Sequence, residues 1–206
     1  MRAVVLLASV VCASAALVAA PAQRGAPRGR AAAPAATTAK CAAELGQGVA
    51  TGRRFCDVIV AAKPADSIAV TIPPHRGTAK LLFDLHNRVA ARLEAGQTAQ
   101  VFARNSATVA VIGPKNEITR AAVVSEFRTL ADLFDRIAGG AAGGVKAVGP
   151  GPASAIDVTV PAGITAIGIV GIRLEVVTRL GRQSYDTPGR PIAIVSNIRA
   201  EYTPLR

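Results

Sequence analysis

Apolar and polar residues alternate along much of this chain. Between residues 67 and 88, Ile68, Val70 and Ile72 alternate with Ala69 and Thr71. Beyond Pro73-Pro74-His75-Arg76-Gly77, residues Ala79, Leu81, Phe83 and Leu85 alternate with Lys80, Leu82, Asp84 and His86. A period of two places one apolar face on a core and the other toward solvent or a partner. The pattern predicts a central hairpin, two strands joined by a tight Pro-Pro turn.

The same reading runs along the rest of the chain. Phe55 to Ala61 predicts the first strand, and Ala42 to Arg54 before it is irregular, with turns at Gly46, Gly48 and Gly52. Asn87 to Gln97 reads as a loop or one helical turn. Thr98 to Ile112 returns to strand, with a turn or bulge at Asn105-Ser106. Gly113-Pro114-Lys115-Asn116 is a turn signal, and Ile118 to Phe127 runs back as a strand. The last third predicts strands over 156–160, 166–170, 173–178, 184–186 and 192–202, separated by Gly and Pro.

One stretch has a helical period. Leu130, Leu133, Phe134 and Ile137 fall at i, i+3, i+4 and i+7, Thr129 and Asp132 suit a cap, and Gly139-Gly140 ends the run. Ala138 to Ala153 then reads as a Gly/Ala-rich loop, slack or lid-like, without the spacing of a phosphate-binding loop. Ile68-Ala-Val-Thr-Ile-Pro73 is echoed by Ile156-Asp-Val-Thr-Val-Pro161, as two related halves of a sandwich would produce.

About eight to ten short strands with Gly/Pro turns predict a mostly β protein, an antiparallel β-sandwich with one short capping helix. Composition agrees. Half of the residues are hydrophobic, yet aromatics make up only 3% and tryptophan is absent. Such a core is built from small and β-branched side chains, which favour strands. A transmembrane barrel would need aromatic girdles that seven Phe and Tyr residues cannot supply.

The first residues read as an address. Arg2 precedes an apolar run from Ala3 to Val18, too short to span a bilayer comfortably, and Ala20-Pro21-Ala22 fits a cleavage site. The expected organisation is a signal peptide over 1–22, an Ala/Pro/Arg linker over 23–40 and one domain over 41–206. The protein is then exported, to a periplasmic or extracellular space, with no membrane span left after cleavage. Removal of Cys12 leaves Cys41 and Cys56, which read as one disulfide in an exported chain. It closes a loop of about 16 residues, for about 3 kcal/mol.

The formal charge is +11, and arginine dominates it. A basic surface suits a solvated exterior or contact with an anionic envelope polymer. Nucleic acid is not expected, because no basic–aromatic interleaving is present.

Candidate chemistry is sparse. No serine lies in Gly-x-Ser-x-Gly, and no zinc or calcium motif occurs. Asp84 and His86 are two apart on a strand and share a face, so they could hold a metal or act as an oriented base. His75 and Arg76 lie in the turn at the strand's other end, which makes a joint site for both histidines geometrically doubtful. Asp57 and Glu126 are further strand acids, expected to pair with arginines. No cofactor is expected.

Thr71–Gly77 with Phe83–Arg88, Ser125–Arg128, Asp132–Arg136 and Pro188–Ile192 together resemble a group of uncharacterised exported bacterial proteins, over most of 41–204. The resemblance implies no catalytic residue. The expected function is non-enzymatic binding of a protein or envelope partner. The alternatives are a metal-dependent hydrolase using the Asp84/His86 face and a purely structural module.

Overall fold

A computed structural model describes residues 37–61, 64–89, 103–138, 147–150 and 153–205. They form two packed antiparallel sheets, the expected β-sandwich. The first sheet runs β1 (Thr38–Lys40), β4 (Ile68–Thr71), β11 (Ala166–Thr178), β6 (Ala103–Ile112), β7 (Glu117–Phe127), with β12 (Gly181–Tyr185) also on β11. The second runs β2 (Ala43–Gln47), β3 (Arg54–Ile59), β13 (Pro191–Pro204), β5 (His75–Val89), β9 (Ala147–Pro150), β8 (Leu133–Arg136), with β10 (Ser154–Val160) also on β5.

The Pro-Pro segment does not make a hairpin. β4 belongs to the first sheet and β5 to the second, so Pro73-Pro74 turns a corner between them. The alternation is as expected, but both apolar faces point inward from opposite sheets. Ile68, Val70 and Ile72 meet Ala79, Leu81, Phe83 and Leu85 in one buried cluster. Prolines suit such a corner because neither supplies a ladder N–H.

The echoed segments occupy matching places. β10 runs in the second sheet and crosses at Pro161 into β11 of the first. β10 pairs with β5, Ile156 opposite Phe83, and β4 pairs with β11, Ile68 opposite Ile169. Each short strand therefore completes the sheet of the other arch's long strand. Burying such faces contributes about 1.5–3 kcal/mol per large side chain.

The expected helix is absent. Leu130–Asp132 forms a 3-10 turn and the following residues form β8. Asp132 accepts hydrogen bonds from the backbone N–H groups of Arg128 and Thr129, both at 2.7 Å. A side chain that satisfies local N–H groups stabilises a turn in place of a helix. The segment before Gly139 is also short for an independent helix, and pairing of β8 with β9 decides its state.

Other differences are smaller. Among the described residues strand structure begins at Thr38, inside the segment expected as linker, and β2 occupies part of the segment read as irregular; the expected signal peptide and residues 23–36 of the linker lie outside the described residues. Residues 147–150 of the Gly/Ala-rich stretch are strand β9, while 139–146 and 151–152 lie outside the described residues, as do 90–102. Strands expected over 166–170 and 173–178 are one strand, bulged between Gly171 and Arg173. Pairing on both sides of β6 continues through Asn105-Ser106 without a bulge.

Cys41 and Cys56 form the expected disulfide, with Cα atoms 5.5 Å apart. It joins the residue after β1, in the first sheet, to β3 of the second. No helix among the described residues is long and apolar enough to cross a membrane.

The second sheet curls until its end strands meet. Gly48 and Ile137 form an antiparallel bridge, Val49 N–H donates to Arg136 O at 2.8 Å, and Ala138 N–H donates to Gln47 O at 3.0 Å. The curl encloses a small second core of Leu45, Phe55, Ile137, Val148 and Ile194, with Phe134 against it.

Candidate functional site

Alternation along β5 separates its side chains by face. Leu81, Phe83 and Leu85 enter the sandwich core, while Asp84 and His86 point into the curl of the second sheet. The shared face expected of Asp84 and His86 is therefore present, and its surroundings determine what they can do.

Asp84 stands at the rim. Its carboxylate accepts from Arg53 Nη1 at 2.8 Å and from Asn197 Nδ2 at 3.2 Å. Asn197 has a φ of 54° where β13 bulges between Ser196 and Arg199. That left-handed conformation is one asparagine tolerates better than most residues.

His86 is fully buried. Its Nε2 shares a 2.9 Å hydrogen bond with Ser196 Oγ, and Nδ1 has no hydrogen-bond partner among the described residues. The ring lies 4.6 Å from the Phe134 centroid and 5.6 Å from that of Phe55. Burial pushes its pKa down to about 4, with Asp84 pulling up and Arg53 pulling down. At neutral pH the imidazole is uncharged, which suits an apolar enclosure.

A serine–histidine pair suggests a nucleophile and its base, and the groups around it differ from those of a catalytic triad. Such a base is oriented by a third group, and Asp84 bonds to Arg53 and Asn197 instead of to His86 Nδ1. Ser196 is only 1% exposed. A cleft of about 370 Å³ borders the site along Arg53, Arg54, Ser196 and Asn197; Ser196 reaches its wall, and the imidazole does not.

Asp135 closes the other side of the curl. Its carboxylate accepts from the Ala50 and Thr51 N–H groups, both at 3.0 Å, and from the Thr51 hydroxyl. Burial alone would raise its pKa, but these donors and the Arg136 N–H outweigh it, and the net direction is downward. Asp135 thus clamps the β2–β3 turn to β8. Asp57 accepts from Arg88 Nε at 2.9 Å, and Glu126 pairs with Arg128.

His75 lies at the opposite end of the fifteen-residue β5. Eleven residues at about 3.3 Å each keep it far from His86. Its buried ring donates from Nδ1 to Pro73 O at 3.0 Å and tilts against Tyr202. Arg76 beside it is exposed. The four candidates therefore form two separate pairs. Among the described residues, no group of three or more His, Cys, Asp and Glu stands close enough to hold a metal ion.

Sequence reasoning missed Arg53, Ser196, Phe134 and Asp135. One signal was available: Ser196 follows Ile194-Val195 on a half-buried strand, where a buried hydroxyl needs a partner. Comparison with protein-family models, with curated proteins and with solved structures finds no match.

Proposed function

We propose that this protein is exported and acts, without catalysis, by binding an anionic partner of the cell envelope. The observation that carries the reading is the imbalance of its surface charge. Carboxylates Glu44, Asp57, Asp84, Glu117, Glu126, Asp157 and Glu175 are each ion-paired, and among the described residues Asp66, Asp186 and Glu201 are exposed without such a pair. Arg76, Arg104, Arg179, Arg182 and Arg199 are exposed and form no ion pair with a carboxylate among the described residues. Displayed, unneutralised guanidinium groups attract polyanions. The Cys41–Cys56 disulfide is compatible with an oxidising, exported setting.

The metal-dependent hydrolase reading has the shared face of Asp84 and His86 in its favour, and against it the burial of His86 and the ion pair that occupies Asp84. Retention on cell-envelope extract tests the binding reading. Retention at low ionic strength that is lost near 1 M salt, where charges are screened within about 3 Å, is expected. No retention at either ionic strength would overturn it.

A further inference from the structure

The outer face of the first sheet carries a second cleft, of about 290 Å³, lined by Arg104, Ser106, Val124, Glu175, Val177 and Arg182. It is separate from the His86 face, which belongs to the other sheet. Register fixes its layout. Val177 on β11 stands opposite Arg104 on β6 and opposite Arg182 on β12. Two steps between strands separate the arginine Cα atoms by about 10 Å, with the valine side chain as floor between them. Ser106 lies opposite both Glu175 and Val124 in the next row of the same face.

The local charge is positive. Glu175 pairs with Arg173 at 3.3 Å, and Glu126, opposite Arg104 on β7, pairs with Arg128 at 2.9 Å. Both acids near the cleft are thus already matched, and Arg104 and Arg182 remain. Val124 is 50% exposed beside them, and Leu180 is fully exposed at the tip of the β11–β12 hairpin, next to Arg179. Unmatched cations facing one another across a shallow apolar floor are complementary to an extended chain that carries repeated anions.

We propose that this cleft is the seat of the anionic partner, and that it takes an extended polyanion with anionic groups able to reach both Arg104 and Arg182. The assignment rests on the envelope-binding reading above and adds the site and the form of the ligand. Each guanidinium engages one anionic group of the polymer through paired N–H donors, and Ser106 adds a hydroxyl donor in the adjacent row, two residues from Arg104 on β6. A single small anion bridges neither the distance nor both charges.

Binding of long-chain inorganic polyphosphate to the purified protein, measured by fluorescence anisotropy at low salt, tests this. Orthophosphate and phosphatidylglycerol vesicles serve as comparison probes. The double variant Arg104→Gln/Arg182→Gln is set against Lys40→Gln/Lys115→Gln, which removes the same charge from exposed positions outside the cleft. At about fivefold per cation, the cleft variant is expected to lose about 25-fold in affinity and the control about twofold or less. Equal losses in the two variants would overturn the site while leaving envelope binding intact, provided that envelope retention persists in parallel. Tighter binding to vesicles than to polyphosphate would overturn the polymer in favour of a lipid surface. Orthophosphate competing at equal concentration of phosphate would overturn the requirement for an extended chain. Absence of polyphosphate binding by the unmodified protein would overturn the proposal, and loss of envelope retention as well would take the underlying reading with it.

Discussion

His86 Nε2 lies 2.9 Å from Ser196 Oγ although the two residues are not directly opposite in the sheet. Across the β5–β13 pair, His86 faces Ile194 and Ser196 faces Asp84. The serine reaches diagonally to the imidazole, and Asp84 turns to Arg53 and Asn197. The polar stripe is thus divided into an ion pair at the rim and a neutral hydrogen bond inside.

This division makes stability depend on pH. The unfolded chain protonates His86 near 6.5, whereas the folded chain holds it neutral down to about 4. Between those values the unfolded state binds more protons, so acidification favours unfolding. The stabilisation is fully present above the unfolded value and is lost as pH falls through the window, by roughly 3 kcal/mol. Urea unfolding at pH 7.5, 5.5 and 4 should show this decline, and His86→Phe should flatten it. An unchanged slope in that variant would contradict the assignment.

Asp135 acts in a different window. Its folded pKa is lowered, so its contribution is present above the unfolded carboxylate value and is lost as pH falls below it. Gly48 tests the same clamp without changing charge. A Cβ there would lie 2.1 Å from Asp135 Oδ2 and 2.7 Å from Phe55 Cε2. Gly48→Ala should destabilise by about 2–3 kcal/mol, through overpacking and a displaced carboxylate. Gly52→Ala meets nothing within 4 Å and carries only the penalty of its φ of +64°, about 1 kcal/mol. Chemical denaturation of both variants checks the order.

The disulfide is expected to hold the two sheets together at their open edge. Cys41→Ala/Cys56→Ala should lower stability by about 3 kcal/mol through the denatured chain. Thermal melting of the variant should match that of the reduced native protein. A reduced protein as stable as the oxidised one would contradict the role.

Phe83 tests the paired arches. It is buried opposite Ile156 of β10, in the core shared with β4 and β11. Phe83→Ala should cost about 3–5 kcal/mol, whereas Leu82→Ala, on the half-buried outer face, should cost far less. Equal losses would show that the inward register is wrong.

Much of this architecture was legible in local pattern. The alternation of β5 gave its inward face, and two cysteines gave the staple. The Pro-Pro corner was misread because a turn signal does not say whether the next strand pairs with its neighbour or crosses the core. β8 was misread because Leu130, Leu133, Phe134 and Ile137 satisfy a helical stripe, while the pairing that makes them strand comes from β9 and β2. Ser196, Arg53 and Asp135 meet His86 or its enclosure only through contacts between strands distant in sequence. The Arg104–Arg182 cleft is hidden for the same reason, since its arginines sit on β6 and β12 with β11 between them.

The most direct measurement is envelope retention at low salt for three proteins side by side: the native chain, His86→Phe and Arg104→Gln/Arg182→Gln, each confirmed folded by circular dichroism. The account predicts that His86→Phe is retained as well as the native chain and that the arginine variant is largely released. Release of the His86 variant with retention of the arginine variant would contradict it, and would place the protein's function in the curl of the second sheet.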